Sequence, residues 1–468
     1  MSTLLPVVLR RLSSDEYRPP PYRARDLAVL ARYDTAASAA SVLLGLDRRA
    51  YTGDRRATAA SLRAVDAVAG GGFYAVPAEA ELDAAAAAAT FDGRPGDVVV
   101  DVQTHLANPR RWQTPIGEAM ELFLRGTDPG RWPGPVDPSR VSAASWAADV
   151  FGDSETAVAL LTSAPGRPQE NILTNDEIDE CRRLVERFAG TGRVLTHTIV
   201  HPNLGAAELD RMVTWRDELR PSGWKAYTMW GPPEAEPDPA VGDTGWFLDD
   251  ERSGIPFLER VRELGPRVVA VHKGISGPIP GATIATGSPR DVGPAAAMFP
   301  DITFLVYHCG YEPNPDGEEG AYTDAERHLG VNRLLASLED SGIRPGANVY
   351  AELGTTWFLM LRRPIEAAHV LGKLLLAVGP ERILWGTDCI WYGSPQPLID
   401  AFRAFRIPER MQEEHGYPAL TDDMKAAILG RNAAPVYGID LDAARHAAAD
   451  DRAWIDDTRA ALASRFPS

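Results

Sequence analysis

Histidine is scarce in this chain and is unevenly placed. Of the nine histidines, five lie in short apolar runs, each in the second half of its run. These five are His105, His197, His201, His272 and His308. Asp388 ends one more apolar run, "RILWGTD". Imidazoles and a carboxylate that meet at one point are suitable ligands for zinc, manganese or iron. Such an ion lowers the pKa of a bound water and polarises a carbonyl group.

The run "VVVDVQTHL" (98–106) carries polar side chains at every second position. Side chains alternate between the two faces of a β-strand, so Asp101, Gln103 and His105 share one face. A strand with one apolar face and one face that carries polar residues towards its end is typical of a ligand or metal site at the edge of a sheet. Gln103 is the neighbour of His105 on that face, in the position where a second imidazole would suit a metal.

Seven more short apolar runs follow this one. Helix-compatible segments lie between most of them, at residues 174–190, 205–219, 254–264, 290–299, 321–341 and 361–378. The runs cover residues 156–163, 193–201, 223–230, 267–274, 302–310, 348–354 and 382–388. Strands that alternate with helices indicate parallel pairing, and eight such units predict an α/β fold, a (β/α)8 TIM barrel. A doubly wound open sheet is the competing fold. It would need a glycine-rich loop after its first strand, where this chain has "THLANPRRW".

The barrel predicts where the polar residues meet, because reactive groups of TIM barrels lie at the C-terminal ends of the strands. His105, His272, His308 and Asp388 end the first, fifth, sixth and eighth runs. We therefore expect these four side chains to converge. We interpret His197 and His201 as hydrogen-bonded histidines of the core.

Three segments are predicted. Residues 1–94 are rich in alanine and arginine and form a helical N-terminal extension, residues 95–440 form the barrel, and residues 441–468 form a helical C-terminal tail. The arginine pairs near residues 48–56 only faintly resemble an export signal, because charged residues interrupt the apolar segment that follows them.

The composition excludes several classes of protein. A net charge of −17 argues against a nucleic-acid partner. Three cysteines, far apart and with no CxxC pair, argue against a disulfide framework or a cysteine-bound zinc and fit a reducing compartment. The sequence contains no run of about 18 apolar residues, which is the length that a membrane-spanning helix needs. We expect a cytoplasmic protein that acts on a small molecule.

The motifs resemble those of the amidohydrolase superfamily, and in particular its branch of amidohydrolase-related decarboxylases and hydrolases. The hallmark of that branch is D-x-H-x-H on the first strand, a histidine after the fifth and sixth strands, and an aspartate after the eighth. Here the corresponding residues are "DVQTH" (101–105), "VHKG" with His272, "YHCGYE" with His308 and "WGTD" with Asp388. "ILGRNAAPVYGI" (428–439) resembles the final helix of the branch. The likeness covers about residues 95–440.

The resemblance implies one divalent metal ion, with zinc as the first choice and manganese or iron as alternatives. It implies His105, His272 and Asp388 as ligands, joined by Gln103, and His308 and Asp388 as the catalytic acid and base. Lys225 stands where some relatives carry a carboxylated lysine that bridges two metals. We favour one metal and a Lys225 that contacts substrate.

Gln103 departs from the pattern of the family and leaves three interpretations open. Its amide oxygen can be a ligand weaker than imidazole, which leaves a more Lewis-acidic ion. It can orient a water or substrate from outside the ligand set. Or the site holds no metal, and the chain binds a small molecule or performs altered chemistry.

Aromatic and charged residues near the strand ends are the candidates for binding substrate. A proline-rich loop (230–254) and the segments after the other strands bring several rings to the predicted active-site face. An apolar or aromatic substrate would stack on such rings. The candidate residues are Lys225, Tyr227, Trp246, Lys273, Glu352 and Trp391.

The expected function is metal-dependent hydrolysis of a C–N or C–O bond in a small cyclic or aromatic carbonyl compound, through metal-activated water. The first alternative is a lyase, a non-oxidative decarboxylase of an aromatic or unsaturated acid, in the same site. The second is a metal-free barrel that binds a small molecule. By analogy with the branch, we expect that the chain can form a homodimer.

Overall fold

Eight parallel strands form a single sheet in chain order in the computed structural model, which describes residues 5–12, 21–127, 132, 134–164, 171–231, 245–276, 284–314, 317–449 and 451–466. The strands are β1 (Val99–Thr104), β2 (Thr156–Leu161), β3 (Val194–Ile199), β4 (Gly223–Tyr227), β5 (Val268–His272), β6 (Thr303–Tyr307), β7 (Val349–Glu352) and β8 (Ile383–Leu384). All eight lie within the runs predicted from sequence.

The sheet closes on itself between β8 and β1. The backbone N–H of Val102 donates to the carbonyl of Trp385 (3.0 Å), and the N–H of Asp388 donates to the carbonyl of Gln103 (2.8 Å). A parallel bridge joins Thr104 and Cys389. These contacts confirm the predicted TIM barrel, and they place Gln103 directly beside Asp388.

Helices cover the outside of the barrel and both ends of the chain. The N-terminal helices are α1 (Ala24–Leu44), α2 (Arg48–Thr52), α3 (Arg55–Ala69) and α4 (Ala84–Phe91). The helices that follow β1 to β4 are α5 (Pro115–Thr127), α6 (Ala143–Ala147), α7 (Asn175–Ala189), α8 (Ala206–Leu219) and α9 (Gly254–Leu264). Those that follow β5 to β7 are α10 (Ile284–Gly287), α11 (Val292–Met298), α12 (Asn332–Asp340), α13 (Thr356–Met360) and α14 (Pro364–Ala377). After β8 come α15 (Gln396–Ala404), α16 (Glu409–His415), α17 (Asp422–Ala426), α18 (Ala433–Tyr437), α19 (Leu441–Ala449) and α20 (Asp451–Arg465).

Two of the helical predictions need correction. The segment predicted as a helix over 321–341 is α-helical only as α12, and the chain before it is held by polar contacts of Glu319, which accepts from the N–H of Val331 (3.0 Å) and pairs with Lys373. The connection between β1 and β2 was not predicted to be helical but contains α5 and α6. Tertiary contacts override the local pattern in both places.

The N-terminal extension packs on the barrel helices through α3. The side chain of Asp54 caps this helix by accepting from the N–H of Arg56, and Gly70 ends it in a left-handed conformation (φ 94°). Beyond α3, the hydroxyl of Tyr74 donates to the carbonyl of Leu361 (2.6 Å). The extension is therefore fastened to the segment between β7 and α14.

One helix among the described residues, α1, is long and apolar enough by length and composition to cross a membrane. Its buried side chains Val29, Tyr33, Ala37 and Ala40 recur every three or four residues, and the helix packs against α3. Only 22% of its most apolar stretch is buried, whereas a core helix is mostly buried. The packing against α3 accounts for the apolar character of the buried face of α1.

Arg55 fixes the start of α3 to the barrel through a two-pronged contact with Asp400 of α15. Its Nε and Nη2 lie 3.0 and 2.7 Å from the two oxygens of a carboxylate that is 1% exposed. Removal of the cation leaves a buried carboxylate with the amide of Gln396 as its remaining side-chain donor (2.8 Å).

We predict that Arg55→Met lowers the free energy of unfolding by roughly 1–3 kcal/mol, less than for a fully buried pair because Arg55 is partly exposed. The double variant Arg55→Met/Asp400→Leu is expected to recover part of the loss. Arg459→Met, which removes an exposed pair with Asp456, is the control and should change stability by less than about 0.5 kcal/mol. Urea unfolding measures all three, and an equal effect of the two arginine variants would contradict the prediction.

Candidate active site

Asp388 lies at the centre of the group of polar side chains at the C-terminal ends of the strands. Its Oδ1 is 2.9 Å from Nε2 of Gln103 and 3.0 Å from Nε2 of His105. The two nitrogens are 3.4 Å apart, so the three atoms form a closed triangle. All three side chains are buried. The alternation of side chains along β1 thus brings Gln103 and His105 to the same carboxylate, as the sequence predicted.

The other nitrogen of His105 determines how the triangle is charged. Nδ1 of His105 lies 3.2 Å from the carbonyl oxygen of Thr162, so it carries a proton and donates. In a neutral His105, Nε2 then presents a lone pair to Asp388 Oδ1. Two lone-pair atoms 3.0 Å apart require either a proton or a cation between or beside them.

His272 and His308 form a second pair beside this triangle. Nδ1 of His272 and Nε2 of His308 are 3.2 Å apart, and the rings meet edge to face at 4.5 Å. The outer nitrogens face backbone oxygens, those of Gly274 (3.0 Å) and Gly354 (2.7 Å). Because backbone oxygens only accept, both outer nitrogens donate, and the two inner nitrogens, which face each other, need a proton or a cation between them.

Thr355 holds the far side of Asp388 and was not found from the sequence. Its hydroxyl contacts Oδ2 of Asp388 closely and lies 2.5 Å from the hydroxyl of Tyr392. Thr355 has φ 53°, a costly conformation for a β-branched residue. Asp388 (φ 62°) and His308 (φ 58°) have left-handed backbones too. Strained backbone conformations are typical of functional sites, and no sequence pattern predicts them at these three strand ends.

Two more carboxyl groups lie in the same buried region. Burial raises the pKa of Asp101 to about 7, against hydrogen bonds from the hydroxyl and N–H of Thr387. Burial likewise raises the pKa of Glu352 to about 8, while His308 opposes the shift and Asp388 adds to it. Glu352 accepts from the backbone N–H of His308 (3.1 Å) and of Gly354 (2.5 Å). Glu352 thereby positions the backbone that carries His308.

The remaining predicted residues have different surroundings. Nζ of Lys225 lies 3.5 Å from the centre of the Tyr307 ring and 4.5 Å from that of Tyr227, within the barrel. The ring of Tyr227 stacks on His272 at 5.2 Å, and its hydroxyl donates to the carbonyl of Ser163. Roles of Lys225, Tyr227, Glu352 and Trp391 in binding substrate stay predictions.

Lys273 lies in a buried polar environment. Its ammonium forms a fully buried ion pair with Asp291 (2.7 Å) and donates to the carbonyl of Thr286 (3.0 Å). Its role in binding substrate stays a prediction. Trp246 packs edge-on against Phe257 of α9 (6.1 Å). Residues 232–244 of the proline-rich loop lie outside the described residues.

His197 and His201, interpreted from sequence as core histidines, contact aromatic residues. The two nitrogens of His197 face the hydroxyls of Tyr307 (3.3 Å) and Tyr437 (3.1 Å), and burial lowers its pKa well below the usual value. His201 packs its ring on Trp230 at 4.4 Å.

The comparison with known families decides the assignment. The amidohydrolase family model matches residues 100–439, which is most of the chain. The chain belongs to the amidohydrolase family. This membership confirms the resemblance stated from the motifs and makes the protein an enzyme of that family. It leaves hydrolysis and decarboxylation both open.

Three solved structures illustrate what the chain is similar to. They are a 2,6-dihydroxybenzoate decarboxylase from Rhizobium (15% identity, TM-score 0.41), covering 73% of this chain and 99% of that one; a probable 2-pyrone-4,6-dicarboxylic acid hydrolase from Acinetobacter baumannii (11%, 0.44), covering 73% and 99%; and an amidohydrolase from Burkholderia multivorans with bound zinc (17%, 0.41), covering 73% and 100%. No curated protein sequence matches the chain. Family membership rests on the sequence match.

Because the family resemblance implies a divalent metal ion, the residues of the site must be compared with the geometry of a metal site. Among the described residues, no three His, Cys, Asp or Glu side chains are gathered closely enough to hold an ion. His272, a predicted ligand, is instead directed to His308 and Gly274. The triangle of Gln103, His105 and Asp388 fits an ion once the amide of Gln103 presents its oxygen, because the atom now at that corner is an amide nitrogen, which is not a ligand. Ligand atoms at about 2.1 Å from one ion stand about 3.0 Å apart at right angles and about 3.4 Å apart at the tetrahedral angle, which matches its edges of 2.9, 3.0 and 3.4 Å.

The raised pKa values of Asp101 and Glu352 predict the pH dependence of stability of the metal-free protein. Between its unfolded and folded pKa, each of these groups binds a proton in the folded state and has lost it in the unfolded state. Stability therefore falls as pH rises through this interval. From pH 6 to pH 8 the free energy of unfolding should fall by roughly 2–4 kcal/mol in the presence of a chelator.

Glu352→Gln removes one of the two titrations and should flatten that slope. Glu79→Gln, at an exposed position, is the control and should leave the slope unchanged. Chemical unfolding at a series of pH values provides the measurement. A stability that rises from pH 6 to pH 8 in the wild type would show that the two groups do not titrate in this way.

Proposed function

We propose that this protein is a metal-dependent hydrolase that cleaves a C–N or C–O bond of a small cyclic or aromatic carbonyl compound. The observation that carries the proposal is the triangle of Gln103, His105 and Asp388 with the paired His272 and His308 beside it. A carboxylate, an imidazole and an amide around one point, next to a proton-bearing histidine pair, are the parts needed to activate water and protonate a leaving group.

Gln103, His105 and Asp388 would hold the ion. When bound, a divalent cation supplies Lewis acidity, which polarises a carbonyl and lowers the pKa of water. Zinc and manganese are both consistent with this mixture of nitrogen and oxygen ligands.

Asp388 is the proposed proton acceptor. Thr355 fixes Oδ2 and Tyr392 fixes Thr355, so the carboxylate keeps one orientation while Oδ1 faces the site. A held carboxylate loses no orientational freedom when it takes a proton from an attacking water. The buried surroundings raise the strength of every charge interaction in this step.

His308 is the proposed proton donor. Its Nδ1 is committed to the carbonyl of Gly354, so the proton available for transfer is the one between its Nε2 and Nδ1 of His272. Transfer of that proton to a leaving group would leave both histidines neutral with their outer hydrogen bonds intact. The ring of Tyr227, stacked on His272, gives an aromatic substrate a surface next to the donor.

The test combines metal analysis with a substrate panel. Protein purified without chelators should contain about one divalent ion per chain by mass spectrometry and should hydrolyse members of a panel of lactones, cyclic amides and aryl esters. Asp388→Asn and His308→Asn should lower kcat at least about 100-fold, because each removes a group that moves a proton. Asp34→Asn, an exposed carboxylate, is the control for the change of charge.

The same panel should include aromatic carboxylic acids. Release of carbon dioxide, with solvent deuterium on the product carbon and no hydrolysis, would replace the hydrolase by a decarboxylase. Absence of metal and of turnover in the wild type would contradict the proposal and indicate a binding barrel.

A further inference from the structure

The side-chain amide of Gln103 makes an unequal set of contacts. Its nitrogen donates to Asp388 Oδ1 at 2.9 Å, whereas its oxygen is buried and has no hydrogen-bond partner among the described residues. An amide oxygen that is left without a donor in a buried place costs free energy. One end of the same amide is therefore satisfied and the other is not.

A half-turn of the amide exchanges its two ends without moving the rest of the side chain. The nitrogen and oxygen of an amide are nearly equal in size, and the last torsion of glutamine is broad and roughly two-fold. After the turn, the oxygen occupies the corner of the triangle that the nitrogen now holds. All three corners, Oε1 of Gln103, Nε2 of His105 and Oδ1 of Asp388, are then lone-pair atoms.

The opposite side of the amide offers a partner to the nitrogen after such a turn. Gln103 Oε1 and Glu352 Oε1 crowd the same point beside Gly354, because a Cβ added there would lie 2.1 Å from the first oxygen and 2.7 Å from the second. An NH2 group at the present position of Gln103 Oε1 would have a carboxyl oxygen in its vicinity. A glycine at 354 keeps this approach open.

We propose that the side-chain amide of Gln103 rotates by a half-turn when a divalent cation binds. Without metal its nitrogen donates to Asp388. With metal its oxygen becomes a ligand beside His105 and Asp388, and its nitrogen faces Glu352. This inference rests on the proposed function, since it concerns the same metal site, and it assigns to Gln103 a role in both states.

The rotation of the amide affects which metal the site prefers. When an ion binds, Gln103 loses its hydrogen bond to Asp388 and gains a bond from its oxygen to the ion, and this neutral oxygen is a weaker ligand than imidazole. Two oxygens and one nitrogen favour a hard ion such as Mn2+ more than a site with two imidazoles does. We therefore expect Gln103→His to bind Zn2+ more tightly than the wild type and to lose relative preference for Mn2+.

Nuclear magnetic resonance observes the amide directly, because the chain has only five glutamines (103, 113, 169, 396 and 412). The full chain is labelled with 15N in the glutamine side chains, and spectra are recorded with chelator and with one equivalent of Zn2+. The NH2 pair that is missing from Gln103→Leu belongs to Gln103. It should shift by more than a linewidth on addition of Zn2+, while the pair of Gln396, which donates to Glu155 and Asp400, should stay in place.

Mn2+ binding to the metal-free protein, measured by the resonance of free Mn2+, provides the second arm. Gln103→Leu has nearly the same volume and no ligand atom, and it should bind Mn2+ roughly 10–100-fold more weakly than the wild type. Gln103→Glu keeps an oxygen ligand and should bind at least as tightly. If Gln103→Leu does not fold, the shift of the wild-type amide and the affinity of Gln103→Glu still decide the question.

Three results are distinct. A shifted Gln103 NH2 resonance together with weaker Mn2+ binding by Gln103→Leu supports the rotation of the amide. Wild-type affinity in Gln103→Leu, or a Gln103 resonance that does not shift in metal-loaded protein, contradicts the rotation and leaves the proposed function standing. Failure of the wild type to bind Mn2+ or Zn2+ overturns the proposed function and this inference together.

Discussion

The burial of three carboxyl groups at one end of the barrel is the constraint on which the site depends. Asp101, Glu352 and Asp388 all lie away from solvent, within reach of one another's charge. A buried carboxylate is tolerated when hydrogen bonds and a positive charge accompany it. Backbone N–H groups donate to Asp101 and Glu352, and threonine hydroxyls donate to Asp101 and Asp388. A proton between His272 and His308 would add a positive charge beside them. A divalent cation beside Asp388 would complete this balance, which links the electrostatics of the fold to its proposed chemistry.

The barrel makes that concentration of charge achievable because each strand delivers its residue from a different direction. Closure of β8 on β1 sets Gln103 against Asp388, and the turn after β6 sets His308 against His272. The turns are strained at His308, Thr355 and Asp388. Such conformations persist only where the surroundings hold them, so part of the stability of the eight-stranded core is spent on the geometry of the site.

The fold and the centre of the site were predictable from the sequence, because both depend on patterns with a fixed period. Alternation along 98–106 placed Gln103 and His105 on one face, and the ends of the apolar runs placed His308 and Asp388 at one mouth. Thr355 and Tyr392 were not predictable, since their roles come from an unusual φ and from contacts between different loops. The ion pair of Lys273 with Asp291 was not predictable either, because the position of Lys273 after a strand gives no information about a carboxylate in the connection that follows.

The central claim is that Gln103, His105 and Asp388 form the metal site of this enzyme. A crystal structure of the protein grown with Mn2+, with diffraction data collected to locate anomalous scattering from manganese, tests it most directly. We expect one strong peak within about 2.3 Å of His105 Nε2, Asp388 Oδ1 and the side-chain oxygen of Gln103. A peak that lies elsewhere, or an ion held by His105 and Asp388 with the Gln103 oxygen turned away, would contradict the account.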